Sequence, residues 1–111
     1  MEENILKKNI VGLLKTISDR QKQLEYQKGV PVVNVATELV CQWFDDLYHP
    51  GSALHVSAFT KKEGKRLAAF NKYFKDRTNS LPDSMEELHS SNVWEEIENE
   101  AKNVLADLGW D

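Results

Sequence analysis

The chain has 111 residues, of which 41% are hydrophobic and 29% charged, with a net charge of −4 and one cysteine. These values exclude an intrinsically disordered chain and an internal disulfide, and they favour one domain over residues 1–111. No run of about 18 apolar residues occurs and the acidic N-terminus does not resemble a signal peptide, so we expect a cytoplasmic protein.

The first segment is predicted to be an amphipathic helix over residues 4–27. Its apolar residues recur at steps of three and four, which is the period of a helix face. They are Leu6, Ile10, Leu13, Ile17 and Leu24, with Ile5 and Leu14 widening the stripe. Gly29 and Pro31 end the pattern.

A second helix is predicted from Pro31 to Tyr48, because proline suits a first helical turn. Its apolar face comprises Val32, Val33, Ala36, Val40, Trp43, Phe44 and Leu47. Valine favours strands, so a short strand over residues 30–35 is the alternative. The sequence His49-Pro50-Gly51 ends the helix, and residues 49–59 are predicted to be a loop.

The remaining helices are predicted from their capping residues. Thr60 and Glu63 have the spacing of a capping box, which predicts a helix to about Thr78. Ser84 with Glu87 predicts a short helix, and Asn92 with Glu95 predicts the start of the last helix, which Gly109 ends. The predicted fold is therefore an all-α bundle, orthogonal or up-and-down, of four main helices and one short helix. Much of its core is expected from Trp43, Phe44, Phe70, Phe74, Trp94, Ile97 and Leu105.

The candidates for metal binding or catalysis are few. Glu38, Asp45 and His49 share one face of the second predicted helix. A helical di-metal site needs a Glu-x-x-His pair on each of two helices, and here the residue three before His49 is Asp46. A solvated polar face explains them better. Cys41 is expected to be a packed thiol whose pKa Glu38 and Asp45 raise. We therefore expect no enzyme activity, no metal site and no cofactor.

Charge is distributed very unevenly along the chain. Residues 1–82 contain 13 Lys and Arg against 9 Asp and Glu, whereas residues 83–111 contain 9 acidic residues against Lys102 alone. The basic residues are densest over 60–78, where we expect pairing with the acidic C-terminal helices. The alternative function for this basic segment is contact with nucleic-acid phosphates.

The acidic segment is the predicted partner-binding surface. A surface that serves only solubility usually mixes both signs, whereas a field of one sign steers a partner of opposite sign and raises its association rate. The residues predicted to form this surface are Glu86, Glu87, Glu95, Glu96, Glu100 and Asp107.

The size, charge and cysteine content, together with residues 38–48 (ELVCQWFDDLY), 81–88 (LPDSMEEL) and Val93-Trp94, give the chain a family resemblance. It resembles the small acidic immunity proteins that accompany bacterial contact-dependent and other polymorphic toxins. The resemblance implies a protein that neutralises a basic, nuclease-type toxin by covering it. The alternative is a nucleic-acid-associated accessory protein that uses the basic helix 60–78.

Overall fold

The computed structural model describes residues 2–30 and 34–111, and these residues form helices without strands. The helices are α1 (Glu2–Ile17), α2 (Arg20–Gly29), α3 (Val35–Cys41), α4 (Ala53–Ala58), α5 (Lys61–Lys75), α6 (Met85–His89) and α7 (Asn92–Leu108). A π-helical turn over Gln42–Leu47 extends α3, and a 3₁₀ turn covers Thr78–Ser80. The prediction of an all-α fold is confirmed. None of the described helices is long and apolar enough to span a membrane.

The single helix predicted over residues 4–27 is wrong, because the chain breaks after α1. The side chain of Asp19 accepts hydrogen bonds from the backbone N–H groups of Gln21 and Lys22 and so caps a new helix, α2. The break changes the direction of the apolar stripe. Leu24, predicted to be on the apolar face, is exposed, and Gln23 is fully buried instead.

The second predicted helix begins later and ends differently from the prediction. Asn34 caps α3 by accepting a hydrogen bond from the backbone of Thr37. Residues 31–33, on which the choice between helix and strand mainly depends, lie outside the described residues. In the π-helical turn the backbone N–H of Tyr48 donates to the carbonyl of Trp43 at 2.8 Å, and the two rings stack with centroids 4.8 Å apart.

The loop predicted over residues 49–59 contains the short helix α4. The hydroxyl of Ser52 accepts a hydrogen bond from the backbone N–H of His55 and so provides an N-cap that the prediction missed. The capping box of Thr60 and Glu63 is confirmed, since each side chain accepts a hydrogen bond from the backbone N–H of the other.

The caps of the C-terminal helices were predicted almost correctly. Ser84 caps α6 as expected. The cap of α7 is Ser91 and not Asn92, because the Ser91 hydroxyl accepts the N–H of Trp94. Gly109 adopts φ +69° after the last turn, and Trp110 N–H bonds to the carbonyl of Leu105 at 2.8 Å, which is the Schellman pattern expected of glycine at this position.

The core lies between α1, α7 and the helices around them. α1 packs against α2, α4, α7 and the π-helical turn, and α5 packs against α7. Of the seven predicted core residues, all are buried except Phe44, which is half-buried. Ile5, predicted to widen the first apolar stripe, is exposed.

Candidate partner-binding surface

Three of the six acidic residues predicted to bind a partner are exposed and unpaired. Glu86 and Glu87 lie in the first turn of α6, and Glu95 lies in the first turn of α7. Within residues 2–30 and 34–111, none of their carboxylates has a cation within ion-pair distance. Their charges also interact favourably with the N-terminal ends of their helix dipoles. They are therefore available to a partner without loss of an internal ion pair.

The other three predicted residues are engaged by Arg66 of α5 and by Arg77, which lies two residues after the end of α5. Arg66 bonds to Glu100 at 3.3 Å and to Asp107 at 2.8 Å, and Arg77 bonds to Glu96 at 3.0 Å. Arg66, in the first half of α5, meets the second half of α7, and Arg77, just after α5, meets its first half, so the two helices run antiparallel. We call these five residues the α5–α7 ion-pair ladder.

The arginine pKa values reflect this pairing. Burial opposes the charge on Arg66, but its hydrogen bonds to Asp107 and Glu100 outweigh burial and raise its pKa. The hydrogen bond to Glu96 is the main cause that raises the pKa of Arg77. Glu96, Glu100 and Asp107 are thus partly neutralised within the molecule. This agrees with the expectation that basic residues of 60–78 pair with the acidic C-terminal helices.

A seventh acidic residue, Glu98, is buried and was not among the predicted surface residues. Its carboxylate accepts from Arg20 Nε at 3.0 Å and from Gln23 Nε2 at 3.3 Å. Glu98 lies four residues after Trp94 and three before Ala101, so the helical period of the apolar face already included it.

Gln23 connects this carboxylate to the rest of the interior. Its Oε1 accepts from Trp94 Nε1 at 3.1 Å and contacts His89 Nε2 at 2.8 Å, while its Nε2 donates to the carbonyls of Thr16 and Ile17. An indole N–H only donates and a carbonyl only accepts, so these partners determine the orientation of the amide. We call Arg20, Gln23, His89, Trp94 and Glu98 the buried polar junction. It joins α2 to α6 and α7 and is structural.

Lysines line a large open groove between α5 and the end of α7. The groove has a volume of about 710 Å³, with Ala69 and Leu108 among its lining residues. Lys61, Lys62 and Lys65 line it and make no ion pair in the part of the chain that the structure describes, whereas Arg66 is held by the ladder. This is a positive surface distinct from Glu86, Glu87 and Glu95.

Glu38, Asp45 and His49 are not part of a metal-binding group in the described residues. Across the described ranges, no three His, Cys, Asp or Glu side chains are grouped closely enough to hold a metal ion. His49 Nε2 contacts the backbone carbonyl of Asp45 at 2.9 Å. Cys41 is exposed, so the prediction of a packed thiol is wrong, although desolvation followed by the charges of Asp45 and Glu38 does raise its pKa. A raised pKa leaves less reactive thiolate.

Comparisons with protein-family models, with curated proteins and with solved structures find no significant match.

Proposed function

We propose that this protein binds a basic protein partner, a nuclease-type toxin, and neutralises it by covering it, without catalysis of its own. The observation that carries the proposal is the set of exposed carboxylates of Glu86, Glu87 and Glu95, which have no ion-pair partner among the described residues and lie in a segment of strongly negative charge. A toxin that acts on nucleic acid presents a basic face to phosphates, and carboxylates imitate that charge.

The ladder changes which of the predicted residues are assigned to the partner. Glu96, Glu100 and Asp107 already bond to Arg77 or Arg66, and a partner's cation would have to compete with those arginines. The primary contact surface in this proposal is therefore Glu86, Glu87 and Glu95. The residues of the ladder contribute to the long-range field rather than to direct contacts.

The first experiment is affinity capture of the tagged protein from its native host, with elution by a salt gradient and identification by mass spectrometry. A stoichiometric basic protein encoded beside this gene is the expected result. Its toxic activity should then be abolished by equimolar addition of this protein. Recovery of nucleic acid alone, or a captured protein whose activity is unaffected, would contradict the proposal.

The second experiment assigns the surface. We expect Glu86→Gln, Glu87→Gln and Glu95→Gln together to lower the association rate with the captured partner about tenfold at low salt. The matched control changes Glu25→Gln, Asp45→Asn and Asp46→Asn, which are exposed, alter the net charge equally and lie outside residues 83–111. Equal association rates for the two triple variants would remove the assignment to α6 and α7.

A nucleic-acid-associated function remains the second candidate, and the lysine groove is the observation that favours it. Lys61, Lys62 and Lys65 have no ion-pair partner among the described residues and can contact phosphates, whereas Arg66 and Arg77 are occupied by carboxylates. This candidate predicts binding to DNA or RNA that falls steeply with salt and is lost when the three lysines are changed to glutamine.

A further inference from the structure

A smaller pocket opens beside α4, and its walls are mainly aromatic and aliphatic. It has a volume of about 300 Å³, and its lining residues include Tyr48, His55, Val56, Phe59, Gly64 and Ala68. This volume is at the lower end of the range for ligand pockets and suits one aromatic ring rather than a large cofactor. We call it the α4 pocket.

His55 is the unusual residue of the α4 pocket. Its side chain is 5% exposed, and its ring lies 5.4 Å from Tyr48 and 4.8 Å from Phe59 between centroids. The nitrogen Nδ1 is buried and meets no hydrogen-bond partner in the described part of the chain. Burial, followed by the charge of nearby His49, lowers the pKa of His55, so the imidazole is neutral at pH 7.

A buried nitrogen without a hydrogen-bond partner makes the free protein less stable than it would be if that hydrogen bond were made. Because this nitrogen is already shielded from water, a ligand that donates a hydrogen bond to it does not have to displace a water molecule from it. A half-turn of the ring about Cβ–Cγ exchanges the positions of Nδ1 and Cδ2, so the nitrogen can change the side it faces without backbone movement.

The surroundings of the pocket indicate where the ligand comes from. Val56 lines the pocket and is 67% exposed, and Leu54 on the same short helix is 37% exposed. A free small molecule would leave this apolar surface in water, whereas a protein segment would cover it. Lys61 also lines the pocket and is unpaired among the described residues, which favours a carboxylate next to the ring.

We propose that the α4 pocket receives the indole or phenol ring of a Trp or Tyr side chain from a protein partner. His55 accepts the ring's N–H or O–H, and Lys61 pairs with an acidic residue next to it in the partner's sequence. This inference rests on the proposed function only because it assumes that the bound ring belongs to a protein partner. The α4 pocket is a different surface from the one formed by Glu86, Glu87 and Glu95.

The test is titration of the whole protein with the acetylated, amidated dipeptide Trp-Asp, followed by amide chemical shifts in NMR spectra. We expect saturable shifts confined to the pocket lining. Methylation of the indole nitrogen should weaken binding about fivefold, since one hydrogen bond is lost. Replacement of the dipeptide's Asp by Asn should weaken binding less than N-methylation does, and should remove part of the salt dependence of binding.

Two adjacent exposed alanines of α5 provide matched variants. Ala68 lines the α4 pocket and Ala69 lines the lysine groove. Ala68→Phe should fill the pocket and abolish peptide binding, whereas Ala69→Phe should leave it unchanged. In His55→Phe, the peptide and its N-methylated form should bind equally. Circular dichroism melts establish that each variant is folded.

The proposal is overturned if Ala68→Phe binds the peptide as the unchanged protein does, or if N-methylation has no effect on binding to the unchanged protein. Binding of free indole without binding of the dipeptide would overturn the assignment to a protein side chain. The triple variant of Glu86, Glu87 and Glu95 should bind the dipeptide normally. Failure of the acidic-surface proposal and failure of this one are therefore distinguishable.

Discussion

The buried polar junction and the α5–α7 ion-pair ladder use similar side chains with different consequences. In the junction, Gln23 and Glu98 are almost completely inaccessible to water and their hydrogen bonds are made within the protein. In the ladder, the side chains of Asp107 and Glu96 remain more than half exposed. Water replaces a lost partner on the surface but not in the interior. Removing a buried partner of the junction should therefore cost more than removing a partner of the ladder.

The largest expected effect comes from Gln23→Leu. The change removes the acceptor of Trp94 Nε1 and the donor to the carbonyls of Thr16 and Ile17. We expect the free energy of unfolding to fall by about 3 kcal/mol, measured by urea denaturation. Gln21→Leu, an exposed position of the same helix, is the control. Equal losses in the two variants would show that the junction is not a stabilising unit.

The second effect concerns the two ends of the buried ion pair. Arg20→Met leaves the buried carboxylate of Glu98 without its cation, and we expect a loss of about 2 kcal/mol. Glu98→Gln should cost less, because the side chain of Arg20 is 42% exposed and water can solvate it. Urea denaturation of both variants measures the difference. A greater loss for Glu98→Gln would contradict this account of burial.

The third effect comes from the ladder. Arg66→Met breaks the bonds to Glu100 and Asp107, and we expect a loss of about 1 kcal/mol at low salt that diminishes in high salt. Arg77→Met should destabilise the protein less, since Arg77 has one carboxylate partner and its side chain is 30% exposed, against 19% for Arg66. Unfolding curves at two salt concentrations measure both. A loss for Arg66→Met that salt does not change would show that packing, not charge, is responsible.

The smallest effect should come from pH, through His89 of the junction and His55 of the α4 pocket. Burial, and next the charge of Arg20, lower the pKa of His89, while Glu98 opposes this, and burial also lowers the pKa of His55. The unfolded chain then binds more protons than the folded one as pH falls through the ordinary value of 6.5, so stability is lost in that direction. His89→Gln and His55→Phe should each reduce this loss in urea titrations at pH 7.5 and 5.5. An unchanged slope in both variants would exclude the two histidines.

The caps and apolar periods made much of the fold predictable. Local signals of a few residues specified the starts of α5 and α6 and the end of α7, because a cap satisfies backbone groups within one turn. The break at Asp19 and the short helix after Ser52 were missed, although both residues are good N-caps. The apolar period continues past Asp19, and Pro50 and Gly51 before Ser52 indicate a loop, so neighbouring residues mask both caps in the sequence.

The candidate surface was predictable as a region but not residue by residue. The excess of acids in residues 83–111 is visible in the sequence. Which of them remain available to a partner depends on where Arg66 and Arg77 lie, and so on how α5 packs against α7. The unpaired nitrogen of His55 likewise had no sequence signal, because a missing partner is a property of the whole environment.

The sequence by itself determined the helical class, most of the core and the separation of positive from negative charge. These follow from composition, from spacing along one helix and from caps, all of which act between near neighbours in the chain. Only the tertiary structure decided that Glu98 is an interior residue held by Arg20 and Gln23, that half of the predicted acids are paired, and that His55 lines a pocket. Such outcomes depend on contacts between residues far apart in the chain, where burial determines whether the same side chain faces water or a partner.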